Sequence, residues 1–138
     1  MEKNQKEMNI YVFRLQKGQD LKKEIDKFSK KNKIKSGVII TCVGALTKAT
    51  IRMASAKEIN TYKGEFEIVS LVGTLENGYS HLHISISDEK GMVIGGHLKS
   101  PSIVGVTAEI IIGEVKNLVF KREFDKMTGY KELVVKKH

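Results

Sequence analysis

Residues 81–98, HLHISISDEKGMVIGGHL, leave little freedom in how they fold. Apolar and polar residues alternate on both sides of a short charged loop, the period-two pattern of half-buried strands. Glu89-Lys90-Gly91, with Gly91 in the left-handed conformation, makes a common three-residue hairpin connection. That loop pairs Asp88 with Met92, then Ile86 with Ile94, Ser85 with Gly95, Ile84 with Gly96, His83 with His97 and Leu82 with Leu98. Leu82, Ile84, Ile86, Met92, Ile94 and Leu98 then share one face. His81, His83, Ser85, Ser87, Gly95 and His97 share the other. A slip of one residue would send His97 to the apolar face, so burial itself specifies the register.

The polar face carries the chemistry. It holds three of the four histidines of the chain, and opposed side chains have β-carbons about 5 Å apart. Three neutral imidazoles around one ion form the protein half of an open zinc site, with the remaining position left to water or substrate. His81, His83 and His97 are therefore the candidate metal ligands. Glycines inside strands mark bulges or close approach by a ligand or a backbone. Gly95 and Gly96 are candidate ligand-facing positions on that ground, and Gly44, which interrupts the run VIITCVGAL, is placed with them. Arg52 is a candidate clamp for an anionic group beside the metal. Glu65, Glu67 and Glu109 are candidate proton carriers, or carboxylates that orient an imidazole. The plain alternative is three partly exposed histidines on a hairpin and four surface salt-bridge residues. There is no HExxH and no cysteine pair, which excludes a helix-borne protease site and a cysteine zinc finger.

The rest of the chain is strand-rich. Asn9–Leu15 alternates and closes at Lys17-Gly18. Asp20 is a good helix N-cap, and Leu21, Ile25 and Phe28 form one apolar stripe on a lysine-rich helix ending near Asn32. Gly37 opens a β-branched run suited to a central strand, and Gly44 ends it. Further strands are expected at Ala49–Ala54 and at Glu65–Leu75, the latter with Phe66, Ile68 and Ser70 on one face. Ser55–Lys63 reads as polar connection. Asn77-Gly78 is a turn into the histidine strand, and Pro101 is expected in a loop beyond it. Val104–Val115, Leu118–Phe124 and Tyr130–Val135 complete the set. The expected fold is a single α+β domain, a large mainly antiparallel sheet of about seven strands with one principal helix packed on it. Residues 1–8 are expected to be a tail and residues 9–138 the domain.

Charge separates the chain into regions. The net +8 divides into +1 for residues 1–16, +5 for 17–35, −2 for 36–115 and +4 for 116–138. Such basic segments attract phosphate backbones, or are simply a solvated lysine surface. Only Arg14, Arg52 and Arg122 are arginine among 24 basic residues, which favours non-specific over base-reading contacts. No apolar run reaches the roughly 20 residues that cross a bilayer. Cys42, the sole cysteine, forms no intramolecular disulfide, reads as a small buried hydrophobe, and fits a cytoplasmic setting.

Four segments together resemble the plants-and-prokaryotes-conserved (PPC) domain in its prokaryotic stand-alone form: VGALTKATIRM from Val43, GEFEIVSLVGTL from Gly64, HLHISISDEKGMVIGGHL from His81 and VTAEIIIGEV from Val106. The resemblance implies an α+β fold with a seven-stranded sheet, a homotrimer and DNA binding. The plant members join this domain to AT-hooks centred on Arg-Gly-Arg-Pro, a motif this sequence lacks. The fold is also similar to that of acetolactate decarboxylase, where a His-x-His pair and a later histidine bind zinc; His81, His83 and His97 match that pattern in order and type. Three readings are thus open: a DNA-contacting or regulatory protein, a zinc-dependent enzyme or binding protein for a small anionic molecule, and a plain structural subunit.

Overall fold

In the computed structural model, which describes residues 7–138, the chain is an α+β domain of seven strands and one α-helix. The elements are β1 (Met8–Gln16), α1 (Leu21–Lys31), β2 (Gly37–Arg52), β3 (Ile59–Glu76), β4 (Tyr79–Ser87), β5 (Val93–Val115), β6 (Leu118–Phe124) and β7 (Lys131–Lys137). Of the tail expected over residues 1–8, the first six lie outside the described residues, and Met8 is already strand. All strand pairs are antiparallel. Five strands form one sheet in the order β1-β5-β2-β3-β4, and β6 and β7 form a separate ribbon. β5 is long enough to pair with β4 as well as with β2 and β1. Strands β2, β3, β4 and β5 therefore close into a ring, with an inside and an outside.

The inside is the core. Ile51, Leu82, Ile86, Leu98, Val104, Ile110 and Ile112 are wholly buried there. Helix α1 caps it: Leu21 and Ile25 are wholly buried, each contributing about 1.5–3 kcal/mol by leaving water. The Asp20 side chain accepts from the Lys23 amide at 3.3 Å, as an N-cap should. Phe28 is only half buried, stacked on Phe13 at 4.0 Å between ring centroids. Its place in the wholly buried stripe goes to Ser29, whose hydroxyl accepts from the Gly78 amide at 3.2 Å. Cys42 is buried, and burial pushes its thiol up to about 12.

The structure corrects the sequence reading where strands prove longer than their patterns. β2 runs through Gly44, because the glycine lets β2 lie directly against the β5 backbone at Thr107 and Ala108. Residues 59–63, read as connection, are strand; they pair with residues 48–52 of β2, and the hydroxyls of Thr61 and Thr50 meet at 3.1 Å. Pro101 lies inside β5. Between the pairs Thr50–Lys99 and Lys48–Ile103 the register shifts, and side chains replace the ladder: Ser102 Oγ accepts from the Thr50 amide at 3.1 Å, and Thr50 Oγ1 donates to the Pro101 carbonyl at 2.6 Å. A bulge at Val69 turns Ser70 away from the face of Phe66 and Ile68, so that its hydroxyl meets that of Ser85 at 2.6 Å. Met92 lies at the hairpin tip, 65% exposed rather than in the apolar face.

Candidate metal centre

The hairpin that carries the histidines is built as its turn chemistry predicts. Gly91 is left-handed at φ 79°. The Gly91 amide donates to the Asp88 carbonyl and the Asp88 amide to the Met92 carbonyl, both at 3.0 Å. His83 then pairs with His97, Ser85 with Gly95 and Ile86 with Ile94. Leu82, Ile84 and Leu98 point into the ring, which turns His81, His83 and His97 outward. β2 borders β5 on its other side and pairs Arg52 with His97. Arg52, His97 and His83 thus form a row across three neighbouring strands.

One ligand nitrogen from each of His81, His83 and His97 lies within 4.8 Å of the others. Ring centroids are 5.1, 5.2 and 5.6 Å apart. Zinc–nitrogen bonds of about 2.0–2.1 Å place the nitrogens of a tetrahedral site about 3.3 Å apart. None of the three rings is buried in the core. Donor type and number fit an open three-histidine site.

The electrostatics favour neutral rings at His81 and His97, the form that binds metal. Burial lowers the His97 pKa to about 4, and Arg52 and His81 push the same way. Burial also lowers that of His81, with His83 and Arg122 adding to the shift and Glu132 opposing it. Arg52 Nη2 lies 3.4 Å from His97 Nδ1. A guanidinium only donates, so this contact needs an unprotonated Nδ1. A metal bound at Nδ1 would take that lone pair, and a metal bound at Nε2 would require a proton on Nδ1. Either way Arg52 loses its partner in the cluster and is free for an anion.

Beside the row lies an open cleft of about 480 Å³, lined by Arg52, His83, His97, Gly95, Gly96, Tyr130 and the Met53–Ala56 turn. In that turn Ser55 (φ 73°) and Ala56 (φ 60°) are left-handed without being glycine, a strain of about 1 kcal/mol or more each that collects at functional walls.

Of the supporting residues expected from sequence, only Arg52 is at the cluster. Glu67 pairs with Ser87, about 13 Å along the hairpin from His83 at the rise of a strand, and Glu65 lines the same distal groove. Glu109 pairs with Arg14 and Val43 in the far half of β5. Gly44 lies at the β2–β5 contact, not in the cleft. Gly95 and Gly96 border the cleft, and both also sit against backbone: a β-carbon on Gly96 would meet the Arg52 carbonyl at 2.7 Å.

Three residues near the cluster were not expected: Arg122, Tyr130 and Glu132, all from the β6–β7 ribbon. Arg122 Nε donates to Glu76 Oε1 at 2.7 Å, its Nη2 donates to Thr74 Oγ1 at 2.8 Å, and its guanidinium lies 5.3 Å from the Tyr79 ring centre. Thr74 pairs with His81, so this anchor is next to the cluster. The scarcity of arginine was the one signal in the sequence that pointed to Arg122.

Comparison with known proteins agrees with this architecture. The family model described as the Plants and Prokaryotes Conserved (PCC) domain matches residues 2–116. The chain is 35% identical over 130 residues to the bifunctional protein GlmU of a Synechococcus strain, covering 94% of this chain and 21% of that protein. It is 25% identical over 114 residues to AT-hook motif nuclear-localized protein 13 of Arabidopsis thaliana, covering 75% of this chain and 26% of that protein. The chain thus spans about a fifth to a quarter of the curated relatives it matches. Among solved structures, a hypothetical protein from Salmonella cholerae-suis superposes with a TM-score of 0.93 at 34% identity, over 97% of both chains. A metal-containing protein from Archaeoglobus fulgidus superposes with a TM-score of 0.76 at 25% identity, over 97% of this chain and 99% of that one.

Proposed function

The chain belongs to the Plants and Prokaryotes Conserved (PCC) domain family, the PPC family that its sequence resembles, and we propose that it is a metal-binding protein of that family. His81, His83 and His97 hold one divalent transition metal, zinc by donor type, and Arg52 receives the anionic group of a small molecule beside it. The observation that carries this reading is the meeting of three imidazole nitrogens within 4.8 Å on one exposed face. The metal-containing description of the Archaeoglobus fulgidus structure is consistent with it. A metal so held supplies Lewis-acid polarisation of a carbonyl or activation of water. The chain's own contribution is to keep His81 and His97 neutral and to present a guanidinium that metal binding releases. The setting we assign is cytoplasmic; no helix among the described residues is long and apolar enough to cross a membrane.

Metal analysis of protein purified without a histidine tag, beside His83→Ala, tests the site. About one equivalent per chain is expected for the parent and almost none for the variant. Equal contents in the two would remove the assignment.

A second reading, non-specific contact with DNA, is favoured by α1, where Lys23, Lys27, Lys30 and Lys31 all project into water while Lys22 is held by Asp26 and Ser80. Such binding is electrostatic, so duplex affinity should fall steeply between ~50 and ~200 mM salt. No detectable binding at ~50 mM salt would exclude it. In this reading DNA lies on the lysine-rich helix, away from the histidines.

A further inference from the structure

We propose that the β6–β7 ribbon is a wall of the ligand site and that Tyr130 at its tip donates a hydrogen bond to the small anion held by Arg52 and the metal. The inference rests on the metal reading above and goes beyond it, since residues 118–137 lie outside the 2–116 matched by the family model.

Three observations carry it. First, Tyr130 lines the same cleft as Arg52, His83 and His97, although it lies far from them in sequence. Second, the ribbon is fixed to the histidine-bearing sheet by Arg122, through Glu76 and through Thr74, the pairing partner of His81. Third, the turn that presents Tyr130 is closed on itself. The Asp125 amide donates to the Tyr130 carbonyl at 2.9 Å, the Gly129 amide to the Asp125 carbonyl at 2.8 Å, and the Met127 amide to Asp125 Oδ1 at 2.7 Å. The Tyr130 backbone is therefore held while its side chain stays 58% exposed over the cleft. Glu132, hydrogen-bonded by Thr128 Oγ1 at 2.9 Å, brings a negative charge near His81 from the same ribbon.

These groups define the ligand by its chemistry. A metal takes an oxygen donor, a guanidinium takes a carboxylate, and a phenol O–H takes a further acceptor. The class is a small carboxylate carrying a second oxygen within a few bonds, of a size suited to a cleft of about 480 Å³.

Cobalt(II) in place of the natural metal makes the site visible by its d–d absorption, and oxalate serves as the probe. In the parent protein, added cobalt should give a band, and oxalate should shift it saturably. Tyr130→Phe should weaken oxalate about tenfold, the worth of one hydrogen bond to a charged acceptor, with cobalt stoichiometry unchanged. Met127→Ala, at the same tip but 95% exposed, should titrate like the parent. If cobalt gives no band, the metal reading falls and this inference with it. If cobalt binds but oxalate leaves the band unmoved, or Tyr130→Phe titrates like the parent, this inference is overturned and the metal site stands.

Discussion

His97 sits where three influences agree: it is partly buried, Arg52 lies against its Nδ1, and two further imidazoles crowd it. All three disfavour a positive ring. The folded protein keeps His97 neutral down to about pH 4, whereas the unfolded chain takes up its proton near 6.5. Between these values the unfolded state binds more protons, so stability falls as the pH drops through the window and is fully present above it. His81 shifts in the same direction. Thermal unfolding of metal-free protein in chelator should show a loss of Tm from about pH 6.5 towards 4 that is shallower in His97→Gln. Parallel curves for the two proteins would contradict it. The histidines could be paired from the sequence because strand alternation and one glycine turn are local signals. Arg52 could be named but not placed, since its contact with His97 crosses from another hairpin. Glu65, Glu67 and Glu109 were named for their charge alone, and charge carries no information about distance along a strand.

At the scale of elements, the β6–β7 ribbon is the least self-sufficient part, since two strands alone are marginal in water. Its hold on the sheet depends on the Arg122–Glu76 pair, with side chains only 13% and 10% exposed. Glu76 Oε2 is buried with no hydrogen-bond partner of its own among the described residues. Removing the arginine would leave a buried carboxylate uncompensated, a loss of about 3 kcal/mol and on the order of 10 °C in Tm for a domain of this size. Arg122→Met should show that loss, together with faster proteolysis within residues 118–137. Arg122→Met/Glu76→Leu should regain most of it, because no charge is then stranded. A double variant as unstable as the single one would mean that the arginine acts by packing rather than by charge. The elements whose ends sequence misjudged share one cause. Pro101 and Gly44 stop strands when the backbone ladder is considered alone, but here Ser102, Thr50 and the bare face of a glycine keep the neighbouring strands together. Each of these contacts joins residues about fifty or more apart in the chain, beyond any local window.

For the whole molecule, the ring of strands leaves its outer surface to be explained. Ile10 on β1 and Val43 on β2 are each 55% exposed, and Val12 is 71% exposed. Val12 pairs with Ile111, and Arg14 with Glu109, which in turn pairs with Val43; the residues therefore share one outward face across three strands. A strongly charged chain that exposes several apolar side chains on one sheet face has the makings of an interaction surface. Among the described residues β1 is also a sheet edge, pairing only with β5, and offers unpaired backbone groups beside that face. The alternation in β1 was evident from sequence, but the side covered by the core was not, because both of its faces carry apolar residues. The homotrimer that the family resemblance implies would cover this face with further copies of the chain. Sedimentation equilibrium should give about three times the 15.5 kDa chain mass. Val12→Asp, which puts a charge at the most exposed apolar position of β1, should lower that mass to one chain. Because the three histidines and Arg52 come from a single chain, the dissociated variant should still take up metal. A parent sedimenting as a single chain at tens of micromolar would rule out the trimer, and loss of metal on dissociation would show that the cleft needs a second copy to hold its shape.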